Sequence, residues 1–359
     1  MLLHLKRLDW LLIASALLLV TFGLISIYSS GGEELTNFKR QILWLAIGFF
    51  LMLFVSFLDY RILKNYKAPV TIIYIFSLLL LIGLFIFGVS VRGATSWYHF
   101  GPVSFEPVEL AKIVLILLLA KYFSMRHIEM YRVRHIIVSG IYVFLAAGLV
   151  FMQPDIGSVL ILISIWFGVM VMAGIRIKHI AALAVIGAIV LSAAWLFAFQ
   201  DYQKDRLISF VNPQSDPRGS GYNVLQSVIA IGSGGVWGKG IGEGTQTQLG
   251  FLPETQTDFI YAAIVEEMGL VGGVMLLLCF VFFIRRVMNI SKYSVNNFAR
   301  LVAAGFSVML ISQILINIGM TLGLLPITGI PLPFVSYGGS SLISLFLMLG
   351  ILQSITANK

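Results

Sequence analysis

The stretch Phe251 to Gly269, FLPETQTDFIYAAIVEEMG, carries Glu254, Asp258, Glu266 and Glu267 just before and inside an apolar run that continues to Ile284. A carboxylate can take a proton from a reacting hydroxyl or hold a hard divalent cation. In or beside a bilayer it is expensive, so membrane carboxylates are functional sites by default. Thr257 is a good N-cap, which predicts Asp258 in the first turn of a membrane helix. There the helix dipole favours the ionised form. Glu266 follows eight residues later, about 12 Å along the axis. The competing reading is a capped helix end plus a buried carboxylate pair.

A second group of charges opens another apolar run. Glu106, Glu109 and Lys112 recur every three residues, which predicts one shared helix face. Unpaired charges deep in a bilayer cost ~3 kcal/mol each, so Glu109, Lys112, Glu266 and Glu267 together would cost ~10 kcal/mol, comparable to a protein's whole stability. They must pair, neutralise or face water. Glu109–Lys112 pairing and a catalytic role both stand open. Asp155, in QPDIG, reads as a turn and helix-start residue, with a site role as the alternative. Near the C-terminus, Pro326, Pro331 and Pro333 break the helix between the last two spans. Asn317, Ser336 and Tyr337 add polar groups there, which favours a cavity lining over a tight turn.

Other chemistries are poorly supported. Gly238-Lys239-Gly240 lacks the Ser or Thr of a phosphate loop, and no strand precedes it. The single Cys279 excludes an intramolecular disulfide and a thiolate metal cluster. His4, His127, His135 and His179 fall on one predicted side of the membrane and His99 on the other, so a shared metal site is implausible. No nucleotide, haem or zinc is expected.

The elements that must position these residues are membrane helices. The 359 residues are 59% hydrophobic and 11% charged, with mean hydropathy +0.96. A soluble domain carries about 25% charged residues. The expected fold is therefore an all-α polytopic membrane protein, without strand-like alternation. About ten runs are long enough to cross, near 10–28, 42–58, 69–89, 107–123, 136–152, 156–174, 180–199, 259–284, 299–320 and 339–356. Lys and Arg concentrate at the N-terminus, in alternate loops and at Lys359, which places both termini in the cytoplasm and assigns the net charge of +8 to cytoplasmic loops instead of nucleic-acid binding. Of the acidic residues, only Asp9, Asp59 and Glu129 lie on that side. Chemistry or cation handling at the outer face is the natural cause. Two outer segments stand out: 91–109, rich in aromatics and suited to the interface, and the large loop 200–257 between helices 7 and 8. The loop has room for one interfacial or re-entrant helix. The whole chain, 1–359, reads as a single transmembrane domain.

At these residues the chain resembles the SEDS family (shape, elongation, division and sporulation). The likeness rests on five ordered motifs: GATSWYHFG…FEPVELAK, QPDIGS, YQKDRL..FVNPQSDPRGSGYN, GTQTQLGFLPETQTDFIYAAIVEEMG and GMTLGLLPITGIPLPFVSYGGSS. GYN and GTQTQLGFLPE are closer to the family's elongation member than to its division relative. The resemblance implies a peptidoglycan glycosyltransferase in the bacterial cytoplasmic membrane. It would polymerise lipid II, a disaccharide-peptide on undecaprenyl pyrophosphate, at the outer face. It implies a class B penicillin-binding protein as transpeptidase partner, beside other elongation-complex membrane proteins. The family's essential aspartate falls on Asp258, and its Glu-x-x-Lys pair on Glu109 and Lys112. Three positions depart from the family pattern. Glu106 adds a carboxylate beside that pair, Gln256 replaces a common histidine, and Ser96 replaces an arginine whose role either passes to Arg92 or is dispensable.

Under this reading Asp258 is either the general base or the ligand of a divalent cation, Mg²⁺ or Mn²⁺. Lys112, Arg206, Arg218 and Lys239 are the candidate cations for the leaving pyrophosphate. The alternatives are a lipid II flippase and the division paralogue. A flippase cavity needs polar groups at both depths, whereas the carboxylates here crowd one face.

Overall fold

The structure is a computed structural model and describes residues 2–32, 35–91, 94–101, 103–125, 133–197, 199, 204, 208–210 and 219–358. Its helices are α1 (Leu2–Lys6), α2 (Trp10–Ser30), α3 (Thr36–Phe57), α4 (Arg61–Asn65), α5 (Lys67–Phe87), α6 (Pro107–Ser124), α7 (Val133–Met152), α8 (Ile156–Met172), α9 (Ile177–Phe197), α10 (Ser220–Gly234), α11 (Thr245–Gln248), α12 (Ile260–Lys292), α13 (Asn297–Thr321) and α14 (Gly339–Ala357). Eight are long and apolar enough to cross a membrane. Two more sit where spans are expected: α6, which carries Glu109, Lys112 and Lys121, and α8, which has 17 residues. The protein is a multi-pass membrane protein.

Polar contacts mark two levels about one bilayer apart. Asp9 caps α2, accepting from Leu12 N at 3.0 Å, and pairs with Arg286 of α12 at 2.7 Å. At the other end of α2, Ser29 donates to Glu267. Twenty residues of α2 separate Asp9 from Ser29, about 30 Å of helix and close to the hydrocarbon thickness. The end at Asp9 also holds the C-terminus, where Gln353 donates to Asp9 O at 3.0 Å and Asn358 O accepts from Arg61. The opposite end holds the segment from α10 to the start of α12 and is called the loop end.

At the loop end three features differ from expectation. The described residues between 89 and 105 form a small antiparallel sheet, β1 (Val89–Val91), β2 (Ala94–Phe100) and β3 (Val103–Phe105), in the order β1-β2-β3. Val, Thr, Trp, Tyr and Phe favour strands, but segments of three to seven residues are too short to show a period of two. Tyr98 pins the sheet to α5 by donating to Leu80 O at 2.7 Å. Second, the expected cap is displaced. Phe259, not Thr257, is the N-cap of α12, so Asp258 precedes the helix. Thr257 spends its hydroxyl on the Glu254 carboxylate at 2.8 Å. Third, α12 is broken at Gly269, whose φ of 70° and ψ of −173° suit glycine alone. Ile260–Met268 is thus a separate half-helix. Both of its ends meet loop-end residues, Asn317 beside Asp258 and Ser29 at Glu267. α10 packs along it.

Candidate active site

Residues 322–338 form the mould for the Asp258 segment. Proline keeps this stretch irregular, and α13 supplies its anchor. Asn317, fully buried, donates to both Asp258 O, at 2.9 Å, and Ile330 O, at 2.8 Å. Ser336 Oγ donates to Thr257 O at 2.6 Å, and Tyr337 N to Gln256 O at 2.8 Å. Gln41 of α3 holds the mould from behind, donating to Ser336 O at 3.2 Å and accepting from Gly338 N at 3.3 Å. Asn37 donates to Gln256 Oε1 at 2.7 Å. Three consecutive carbonyls, 256 to 258, are therefore fixed by a neighbouring segment. Asn317 and Ser336, expected to line a cavity, are instead buried against protein. The expectation missed that the carbonyls of 256–258 need donors once no helix follows immediately.

The Asp258 side chain meets the mould at Gly329, where its Oδ2 lies 3.7 Å from the position a Cβ would take. The described residues with positive φ other than glycine are Pro154, Glu254 and Phe334. All three flank this region, next to Asp155, Asp258 and Ser336, and strained backbone of this kind persists where surroundings over-determine it.

Four carboxylates and a lysine gather here. Glu109 and Lys112 form a buried ion pair at 2.7 Å. Glu106 stands one residue before α6 and is held by Ser340 Oγ, which accepts from its N–H at 3.0 Å. As a cap it lies outside the helical face it was expected to share. Burial first, then the charges of Glu109 and Asp155, hold the Glu106 carboxyl well above the usual carboxylate range; Lys112 opposes this and Asp258 adds to it. Asp155 caps α8, accepting from Ser158 N at 2.9 Å. Its neighbour Gln153 is buried and donates to Leu81 O at 2.7 Å. So α6, α8 and the turn before α12 bring Glu109, Lys112, Asp155 and Asp258 within electrostatic reach of Glu106.

The other carboxylates go elsewhere. Glu266 accepts from Gln246 N at 2.8 Å, Thr247 Oγ1 at 2.8 Å, Lys239 Nζ at 3.0 Å and Thr247 N at 3.1 Å. Glu267 accepts from Ser29 Oγ and from Gly242 N at 3.3 Å. Lys239 is thereby committed to Glu266, and Lys112 to Glu109. Arg92, Arg206 and Arg218 lie outside the described residues. Gln41 and Asn37 were missed as site residues. Gln41 is 1% exposed in an apolar span, and a polar residue at that depth was signal enough.

The chain is similar to known proteins over nearly its whole length. The profile of the FtsW/RodA/SpoVE family, described as cell cycle protein, matches residues 9–359. The peptidoglycan glycosyltransferase MrdB of Escherichia coli K12 is 37% identical, over 98% of this chain and 94% of that protein. The peptidoglycan glycosyltransferase RodA of Treponema pallidum is 31% identical, over 98% of each. A solved chain described under "structural coordination of polymerization and crosslinking by a peptidoglycan synthase complex" is 30% identical, with a TM-score of 0.83 over 98% of both chains.

Proposed function

The chain belongs to the FtsW/RodA/SpoVE family and is a peptidoglycan glycosyltransferase, and we propose that Asp258 carries its chemistry at the outer face of the bacterial cytoplasmic membrane. In this reading the loop end faces outward, all ten long helices cross, and the substrate is lipid II. A sugar hydroxyl of one lipid II attacks the anomeric carbon of the growing chain. Its proton passes to the Asp258 carboxylate, and the bond to the pyrophosphate breaks. The observation that carries this is the fixing of the three carbonyls from Gln256 to Asp258, which positions one carboxylate within electrostatic reach of Glu106, where Glu109, Lys112 and Asp155 also act. Positioning of that kind makes a general base effective.

The oxygen donors Asp258, Asp155 and Glu106 suit Mg²⁺ or Mn²⁺. Among the described residues no three acidic, His or Cys side chains are close enough to hold a metal by themselves. A cation here would be shared with the substrate's phosphates, as Mg²⁺ commonly is, and would neutralise the leaving pyrophosphate. The partner is a class B penicillin-binding protein, which crosslinks the strands, within an elongation complex. The likeness to a chain from a synthase complex supports this.

The test is polymer formation from lipid II by the purified protein in detergent, with and without the partner and added Mg²⁺ or Mn²⁺. Gel-resolved glycan strands are expected. Their absence under every condition would sink the polymerase reading and promote a flippase.

A further inference from the structure

Building on that reading, in which Glu266 takes no part in the chemistry, we propose that Glu266 is a positioning residue: it clamps the strap 239–250 and through it sets where Asp258 stands. The strap follows the turn after α10, crosses α12 at Glu266 and Glu267 just before the break, and returns to the Asp258 segment. Its glycines at 240, 242 and 250, like Gly235 and Gly238 just before it, all have positive φ. Such a chain has little stiffness of its own. Order comes from the carboxylate. Glu266 is fully buried, and its two oxygens receive the amides of Gln246 and Thr247, the Thr247 hydroxyl and the Lys239 ammonium. Charge-assisted bonds of this kind are the strong ones.

From there the connection to Asp258 is short. Leu252 N donates to Gln246 O at 3.0 Å, which ties the returning chain to the clamped turn. The Leu252 side chain, 2% exposed, packs in a small apolar cluster with Ala230 of α10, Phe259 and Ala262. Phe259 is the residue after Asp258, and Ala262 stands one turn before Glu266 on the half-helix. Asp258 is thus held from two sides: its carbonyl by Asn317, and the residue beside it by the strap.

The experiment compares the full-length wild type with Glu266→Gln and Thr247→Val. Gln keeps the volume but replaces one acceptor oxygen by an NH₂ that faces the strap's own N–H donors. Three readouts are taken: amide exchange over 244–258, thermal unfolding, and lipid II polymerisation as a function of substrate and pH. Glu266→Gln is expected to speed exchange in 244–258 and to lower kcat by ~10–100-fold, since a misplacement of about 1 Å can cost 10². KM and the pH midpoint of kcat should stay put. Thr247→Val removes one donor and should give a smaller loss in the same direction. Wild-type exchange, or wild-type kcat with loosened exchange, would overturn the proposal. So would a shifted pH midpoint, which would make Glu266 a proton carrier. If Glu266→Gln does not fold, Thr247→Val decides by the same criteria. A wild type that makes no polymer would fail the functional reading alone, because exchange still judges the clamp.

Discussion

Glu266 is surrounded by donors to both of its carboxylate oxygens, whereas the bonds placed around Asp258 hold its backbone, through Asn317 on its own carbonyl and Ser336 on that of Thr257. The two residues are eight apart in one stretch and near one level of the bundle. What separates them is the use made of the charge. A carboxylate filled with amides and an ammonium is a structural anchor, and its lone pairs are spent. A carboxylate whose backbone is over-determined is placed for something else. Depth in the membrane does not distinguish the two roles; four donors on one carboxylate mark an anchor, and fixed carbonyls at 256–258 mark a positioned segment.

That contrast can be broken most severely at the Glu109–Lys112 pair, which belongs to the Asp258 region. Lys112 is fully buried and its partner nearly so. Lys112→Ala leaves a buried charge alone and should cost ~3–5 kcal/mol, seen as low folded yield and low turnover, while Lys64→Ala at an exposed site should behave as wild type. Wild-type yield and polymerisation for Lys112→Ala would show the pair to be wet and incidental.

Next in size is the backbone clamp. Asn317→Leu leaves Asp258 O and Ile330 O without their donor, at ~1–3 kcal/mol for each buried carbonyl. Melting temperature should fall and polymerisation should fall further than the loss of folded protein explains. An activity loss that only follows the folded fraction would reduce Asn317 to a packing residue.

The smallest expected effect is at Glu106. Burial and the charges of Glu109 and Asp155 raise its carboxyl well above the usual range. The folded state therefore binds this proton more tightly than the unfolded chain. The stability it contributes is complete below the ordinary carboxylate range and is lost as pH rises through the raised folded value. Glu106→Gln should flatten that decline in a series of melting temperatures against pH. Parallel declines in both proteins would assign the titration to another group.

Much of this could be read from the chain. Each of the ten expected runs coincides with a helix, because twenty apolar residues have few alternatives in a bilayer. Asp258, the Glu109–Lys112 pair and the cap at Asp155 were visible as polar residues out of place. Other features were hidden because their cause is tertiary. Thr257 is a good cap by type, but Glu254 takes its hydroxyl. The break at Gly269 is set by the turn that follows α10, since Leu270 N and Val271 N bond to Gly235 O and Val236 O. Lys239 looked like a cation for a leaving phosphate because nothing in the sequence announces that Glu266 lies beside it.

The central claim is that Asp258, and not its neighbours on α12, handles the reacting proton or its cation. Asn has nearly the same shape as Asp and cannot accept a proton at neutral pH. The measurement is gel-resolved polymer from purified lipid II, with the partner's transpeptidase blocked by a β-lactam. Asp258→Asn should keep wild-type melting and partner binding and lose polymerisation by ~10²–10⁴-fold. Partial rescue by excess Mn²⁺ would assign Asp258 to the cation and not to the proton. Undiminished polymer from Asp258→Asn would contradict the account.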